Sequence, residues 1–553
     1  MILVISVHIG CTDTYSCYAY SFMFLRISRS RRGKNVYEYA QICERYRENG
    51  KQKTKILEYL GPVRDESDME RYRKALLLAG EKQSIRSMTP DGFSLLPSRE
   101  YGIAHASMAV MNNNGILSIL RKNVGVYSHI LNFMIIARLQ EPSSDLSLIS
   151  MSEKIYYPWS EINLNDDNIY RTLDKLITAK DKIEMEIFKA LKPDISKIHY
   201  DVTSTYFEGR EDNDLVLFGY SRDKKRGKEQ IVIGLVMADG IPVHHEVWPG
   251  NTVDPKTLEP TIATLKDRFG IKNMTFIGDR AFGRSKSLDL LDHNLYITAA
   301  YRWDQPYRDI LMDTDFTDAI AMDKLLIKRV EINIDDILDN DSDEDQRKLA
   351  EKRRYIAVYN KEREILDLND LDDKINIIRR KISEIPDEND LKKSLGKLKS
   401  LVKFTKNGAV PNENRINILK KLAGRFLIVT NTDLPESEIV SAYKEQWQIE
   451  RSFRTIKSFI EIRPVYHRKS ERIRAHVFAC VLSLLLSILI EKKTEITISE
   501  TTRILSQLKV TPVRLQSGII MIRSESEQVL NLLNKMNIPY PEKITDGART
   551  KMT

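Results

Sequence analysis

The 553-residue sequence is poor in cysteine, with Cys11, Cys17, Cys43 and Cys480 alone and no C-x-x-C pair. That excludes a zinc knuckle or a disulfide framework and fits a reducing, cytoplasmic setting. It also lacks an apolar run of membrane length: Val477 to Ile490 falls short of the ~20 residues needed to cross a bilayer, so a buried helix and no membrane partner are expected. The apolar, aromatic first 22 residues are without the basic leader expected of a signal peptide. Met23 opens into FLRISRSRRGKN, and residues 1–22 are expected to be disordered or an extension upstream of the true start. No internal repeat or low-complexity tract interrupts the chain. A strong charge excess is missing too: 86 Lys and Arg against 78 Asp and Glu leave +8. That balance permits a polyanionic partner without requiring one; what matters is whether the excess is focused on one face. What remains is ordinary for a protein that buries a core, with 42% hydrophobic and 30% charged residues.

The pattern along the chain predicts an α+β or α/β multidomain protein. Residues 23–97 read as a β-hairpin and helix region, because VYEYAQICERYRENGKQKTKILEYLG alternates around Asn49-Gly50. Residues 98–195 carry apolar positions at three- and four-residue spacing, a helical region expected to bind DNA. At Ile198 the texture becomes β-branched and aromatic. The order over 196–302 is three strands, helix, strand, helix, strand, which ribonuclease H-like folds share. Residues 303–423 read as an inserted β/α subdomain with a helical hairpin broken near Pro386. Residues 424–495 return to the core and carry one long helix from Ser437, and 496–553 form an αβ tail.

Three carboxylates draw attention. Asp201 lies inside the strand IHYDVTSTYF, where a charge is costly unless it is paired or binds a cation. Asp279 ends the strand MTFIGD, at the strand end where functional side chains gather. Each alone is also explained locally, Asp201 by a strand-edge hydrogen bond and Asp279 by capping or a pair with Arg280. Glu450 has companions: on one continuous helix Tyr443, Gln446, Glu450, Arg454 and Lys457 share an arc of about 80°. An adjacent arc of Ala442, Ile449, Phe453, Ile456 and Ile460 would pack on the sheet. The plain alternative is an amphipathic helix with a Glu450–Arg454 pair. Together, the three carboxylates can hold two hard divalent cations, Mg²⁺ or alternatively Mn²⁺, for in-line phosphoryl displacement. Arg454 and Lys457 would grip phosphates, and Tyr443 or Trp447 could stack an unpaired base.

With these motifs the sequence resembles insertion-sequence transposases of the DDE class that carry an inserted subdomain before the glutamate. The resemblance runs over roughly residues 23 to 535. It rests on YDVTSTYFEG, GYSRDKKRGKEQIVIGLVMADGIPVHHEVWPGNTVD, FIGDRAFGRSKSLDLL and YKEQWQIERSFRTIKSFIEIRPVYHRKSERIRAHVFACVLSLLL. The family's Tyr-x2-Arg-x3-Glu-x6-Lys helix falls on Tyr443, Glu450 and Lys457. Gln446 stands where Arg is usual, so the phosphate grip of that arginine is either missing here or supplied by Lys444 or Arg451. The resemblance implies a ribonuclease H-like core, a helical N-terminal region reading the element's end, and a homodimer on DNA. It further implies terminal inverted repeats and target DNA as partners, and a nucleoid-associated setting. By the same resemblance, a metal-activated water cuts the strand, the freed 3′-hydroxyl attacks target DNA, and the element leaves through a hairpin intermediate. Arg222, Lys224, Lys225 and Arg226, on the loop before a core strand, are DNA-phosphate contacts or simply a solvated loop. Trp303 or Trp447 would support base flipping or stack as buried aromatics. An inactive DNA-binding derivative and a non-transposing nuclease on the same fold are the competing functions.

Overall fold

A computed structural model describes residues 22–32, 35–48, 51–73, 75–76, 93–158, 163–207, 213–220, 227–271, 274–338, 343–406, 408–463, 465–515 and 518–546. The chain forms two compact units, one of Met1–Pro97, Thr511–Ile522 and Ile544–Thr553, the other of Ser98–Val510 and Arg523–Lys543. The stretch expected to be an extension lies, up to residue 21, outside the described residues.

In the first unit β1 (Phe22–Arg32), β2 (Asn35–Glu48) and β3 (Lys51–Pro62) make an antiparallel sheet in that order. Glu48 pairs with Lys51, so β2 and β3 are joined by the two-residue connection the alternation predicted. On one face Leu25, Ala40 and Ile42 pack with Tyr72 and Leu76, and on the other Phe24, Gln41 and Cys43 are also buried.

The second unit is built on a ten-stranded sheet. Its centre is β4 (Lys197–Tyr206), β5 (Glu229–Ala238), β6 (Ile241–Pro249), β7 (Thr275–Gly278) and β8 (Leu295–Ala299). Across the sheet they run β6-β5-β4-β7-β8, with β6, β5 and β4 antiparallel and β4, β7 and β8 parallel. Helices α1 (Pro255–Asp267) and α2 (Ser285–Leu291) follow β6 and β7. This is the ribonuclease H-like arrangement. Alternation sorts the faces: Tyr200, Val202 and Phe276 pack with Leu258, Ile262 and Leu288 beneath α1 and α2. Ile277, Ile297 and Ile428 face Ile439, Val440 and Ala442 of α3 (Glu436–Lys444) on the other side.

The stretch 303–423 divides. Leu325–Val330 and Arg354–Asn360 extend the main sheet, joined to β8 through Arg425–Thr430. Lys361–Glu384, Glu388–Leu395 and the residues after them enclose a small core of their own around Leu371, Ile378, Leu391 and Ile416. The helical hairpin does break beside Pro386.

The segment expected as one helix from Ser437 is also divided. After α3, three-residue hydrogen bonds tighten the chain at Glu445–Gln446, α4 (Trp447–Arg454) resumes, and Thr455–Phe459 widens into a π-turn. The apolar stretch 477–490 sits inside α5 (Ser470–Thr494), 25 residues and long enough to span a membrane, yet nearly all of its apolar window is buried in the largest core. Burial rather than length marks it as a core helix. Helices Ile498–Leu505 and Glu527–Lys535 and the strands between them make up the tail.

Candidate active site

Strand register relates the first two carboxylates. Tyr200 of β4 and Gly278 of β7 form the last pair of the parallel register, and Asp201 and Asp279 are the residues that follow them. Adjacent strands are about 4.8 Å apart and paired positions share a face. That face carries Ile277 and looks toward α3. Asp201 Oδ1 accepts from the Val202 amide at 2.7 Å, and Asp279 Oδ1 from the Ala281 amide at 2.8 Å. The turn after Asp279 is held firmly. Its carbonyl accepts from Thr298 Oγ1 at 2.8 Å and from the Phe282 amide at 3.1 Å, and Phe282 is fully buried. Gly283 is required there, because a Cβ would stand 1.9 Å from the Ala299 carbonyl oxygen.

Glu450 is exposed in the first turn of α4. Its link to the aspartates is Tyr443, half-buried on α3. Burial pushes the Tyr443 phenol above its ordinary pKa; Asp279, Glu450 and Asp201 push the same way, while Arg280 opposes them. Arg280, next to Asp279, is an exposed cation at the same site that sequence spacing did not select.

Gln446 has a different role from the arginine it replaces. It is buried; its Nε2 donates to the Tyr200 carbonyl at 3.2 Å, and its Oε1 lies 3.2 Å from His199 Nδ1. Both ends of the amide therefore fasten the α3–α4 junction to β4, and the side chain is buried there. Of the two proposed substitutes, Arg451 is held by Glu491 at 3.0 Å and Lys444 lies 3.7 Å from Asp323. Arg454 is exposed on α4, and Lys457 falls in the π-turn, where the 100° helical step no longer applies.

Trp447 points elsewhere. It lines a groove of about 720 Å³ with Lys197, Glu445, Arg451, Glu491 and Lys492, at the start of β4. Lys197 lies four residues, about 13 Å of strand, before Asp201. Trp303 is covered by the Arg415 guanidinium, 3.7 Å above its ring. Arg222, Lys224, Lys225 and Arg226 lie outside the described residues.

Among the described residues, one cluster of histidine and carboxylate has metal-ligand spacing, and it is away from these carboxylates: Asp145, His467 and His476. Its cation is already present, since buried Arg138 donates to Asp145 Oδ1. Oδ2 of Asp145 faces His467 Nε2 at 2.7 Å and His476 Nδ1 at 3.0 Å, while His476 Nε2 meets the Ile462 carbonyl at 2.9 Å. The two acceptors on either side of His476 favour a ring protonated at both nitrogens, while Arg138 Nη2, 3.3 Å from Nδ1, opposes it. Burial disfavours that charge, but Cys480 and Asp145 outweigh it and push the pKa up to about 10. This ion cluster ties the segment leaving the glutamate helix to α5.

A β6-β5-β4-β7-β8 sheet with a carboxylate on each of two central strands defines a ribonuclease H-like protein. The chain belongs to the transposase DDE domain family, whose pattern matches residues 197–486, and residues 25–87 match the IS1634 family transposase N-terminal domain. It is a DDE-class insertion-sequence transposase by family. The transposase for insertion sequence element IS231E of Bacillus thuringiensis subsp. finitimus is 34% identical over 94 residues, 16% of this chain and 20% of that relative. The match thus spans a fifth of that protein's length. Among solved structures, a piggyBac transposase synaptic complex with hairpin DNA aligns at TM-score 0.33 and 10% identity, over 68% of this chain and 70% of that one. A Mos1 transposase paired-end complex with left transposon end aligns at TM-score 0.14 and 14% identity, over 26% and 46%. Neither transfers a residue to this chain.

Proposed function

We propose that this protein cuts the ends of an insertion sequence and joins them to target DNA, with Asp201, Asp279 and Glu450 holding two divalent cations. The reading is supported by the β4–β7 register, in which Asp201 and Asp279 follow the paired Tyr200 and Gly278, and by the charges of Asp279, Glu450 and Asp201 that push the Tyr443 pKa upward. An all-oxygen donor set of three carboxylates suits hard cations such as Mg²⁺ or Mn²⁺. When bound, such ions would supply charge neutralisation for an in-line phosphoryl displacement. The protein's own groups do the positioning. Asp201 and Asp279 are fixed on adjacent strands, whereas Glu450 rides a helix fastened by Gln446. Tyr443, its phenol kept protonated, can donate a hydrogen bond to a phosphate oxygen. Arg280 and Arg454 present charge to the backbone.

The protein would act inside the cell on DNA, as a homodimer holding two element ends. The test is the full chain incubated with duplex carrying the inverted repeats that flank its own gene. Joined products support transposition; cutting without joining indicates a nuclease, and binding alone an inactive derivative. Asp201→Asn, Asp279→Asn and Glu450→Gln should each abolish cutting while leaving binding largely intact. Appreciable Mg²⁺-dependent cutting by any of them would remove that residue from the site.

A further inference from the structure

His199 stands two residues before Asp201 on β4, and alternation puts both side chains on the same face of the sheet. It pairs with Ile277 of β7, which packs beneath Ile439, Val440 and Ala442 of α3. The ring is only 3% exposed, where a polar side chain is costly unless it is hydrogen-bonded. Its bond is at the junction of α3 and α4: Nδ1 lies 3.2 Å from Gln446 Oε1.

The direction of that bond is fixed from outside the pair. Gln446 Nε2 donates to the Tyr200 carbonyl at 3.2 Å, and a carbonyl can only accept. The other end of the amide is therefore the oxygen, so His199 Nδ1 carries the proton and donates. Nε2 of the ring faces the Glu445 carboxylate at 3.7 Å, and Lys197 holds the same carboxylate at 3.3 Å. Residues 197, 199 and 200 of one strand thus grip two successive residues at the tightened turn between α3 and α4. The Lys197–Glu445 pair is well exposed and contributes little alone. The His199–Gln446 bond is buried at both ends. Gln446 precedes Glu450 by four residues, about 6 Å of helix, and His199 precedes Asp201 by two, about 7 Å of strand. No loop intervenes on either side, so an error at this bond reaches both carboxylates with little slack.

We propose that His199 is a positioning residue for strand cutting: by holding Gln446 it sets the start of α4, and through it Glu450, against the strand that carries Asp201. This inference rests on the reading of Asp201, Asp279 and Glu450 as the cutting site.

The experiment uses the full chain and duplex carrying the inverted repeats that flank its gene, with cutting rate at saturating DNA, duplex affinity in EDTA and Tm measured for each variant. His199→Phe keeps the bulk of the ring and loses the donor. His199→Asn loses bulk but keeps an amide donor near the place of Nδ1. A positioning bond predicts cutting about 10- to 100-fold slower in His199→Phe, since a small misplacement at a reacting centre has that effect. Duplex affinity should stay unchanged, and His199→Asn should recover the rate to within a few-fold. The double variant His199→Phe, Gln446→Leu should cut no more slowly than Gln446→Leu alone, because the shared bond is already gone. A side chain that only fills space gives the reverse order, with His199→Phe active and His199→Asn impaired, and overturns the proposal. A multiplied loss in the double variant does the same. If His199→Phe fails to fold, His199→Ala takes its place: it must cut about tenfold more slowly than His199→Asn at comparable Tm, and equal rates overturn the proposal. Lost cutting in Asp201→Asn beside full cutting in His199→Phe sinks this inference alone. Full cutting in Asp201→Asn removes the catalytic reading and this inference with it.

Discussion

Asp145→Asn probes how the glutamate helix is held in place. Both partners of the Arg138–Asp145 pair are almost wholly buried, at 2% and 1% side-chain exposure. Neutralising Asp145 leaves the Arg138 guanidinium and the His476 imidazolium without a counter-charge, and breaking a buried pair on one side costs about 3–5 kcal/mol. Unfolding the roughly 430 residues of the second unit carries an entropy near 0.9 kcal/mol/K at about 2.1 cal/mol/K per residue. The expected fall in Tm at pH 7 is therefore about 3–5 °C, read by calorimetry on the full chain. The pH dependence gives an independent check. His476 titrates near 10 when folded and near 6.5 when unfolded. Its stabilising contribution is full below about 6.5 and is lost as pH rises through about 10. In Asp145→Asn the Asp145 share of the support for that raised pKa is gone while that of Cys480 remains, so the loss of stability over this window should shrink. A Tm change under about 1 °C, with the wild-type pH profile retained, would refute the buried-charge reasoning.

Other outcomes follow from the site. Gln446→Leu removes both amide bonds to β4 and should cost about 1–3 kcal/mol in denaturant unfolding, since the Tyr200 carbonyl is left unpaired; no loss of stability would deny Gln446 its fastening role. Arg280→Ala should lower the rate of strand cutting more than it weakens duplex binding, and equal effects on both would make Arg280 a plain binding residue. Lys457→Ala should weaken DNA binding and lower its salt slope by about 1, and an unchanged slope would mean that Lys457 does not touch phosphate.

Much of the fold could be read from local pattern, because its elements are locally specified. IHYDVTSTYF, QIVIGLVM and MTFIGD alternate or run apolar as strands do, and their order already suggested the central sheet. Long-range pairings were harder to read. The strands 325–330 and 354–360 are charged and follow the core strands, so they looked like an insertion, yet they pair into the main sheet through Arg425–Thr430. The helix from Ser437 looked continuous because its apolar spacing is unbroken. Its tightening at Glu445–Gln446 accompanies a tertiary bond from Gln446 to Tyr200, 246 residues away in sequence. Asp201, Asp279 and Glu450 stood out by their settings, whereas Arg280 did not, because its place depends on strand register. The Asp145 cluster joins side chains 322 and 331 residues apart, which no spacing rule detects.

The most direct test is to count Mn²⁺ ions by electron paramagnetic resonance on the DNA-bound full chain. Two ions per chain are expected, with Asp201→Asn, Asp279→Asn and Glu450→Gln each losing at least one. Identical stoichiometry and affinity in the wild type and all three variants would contradict a shared carboxylate site.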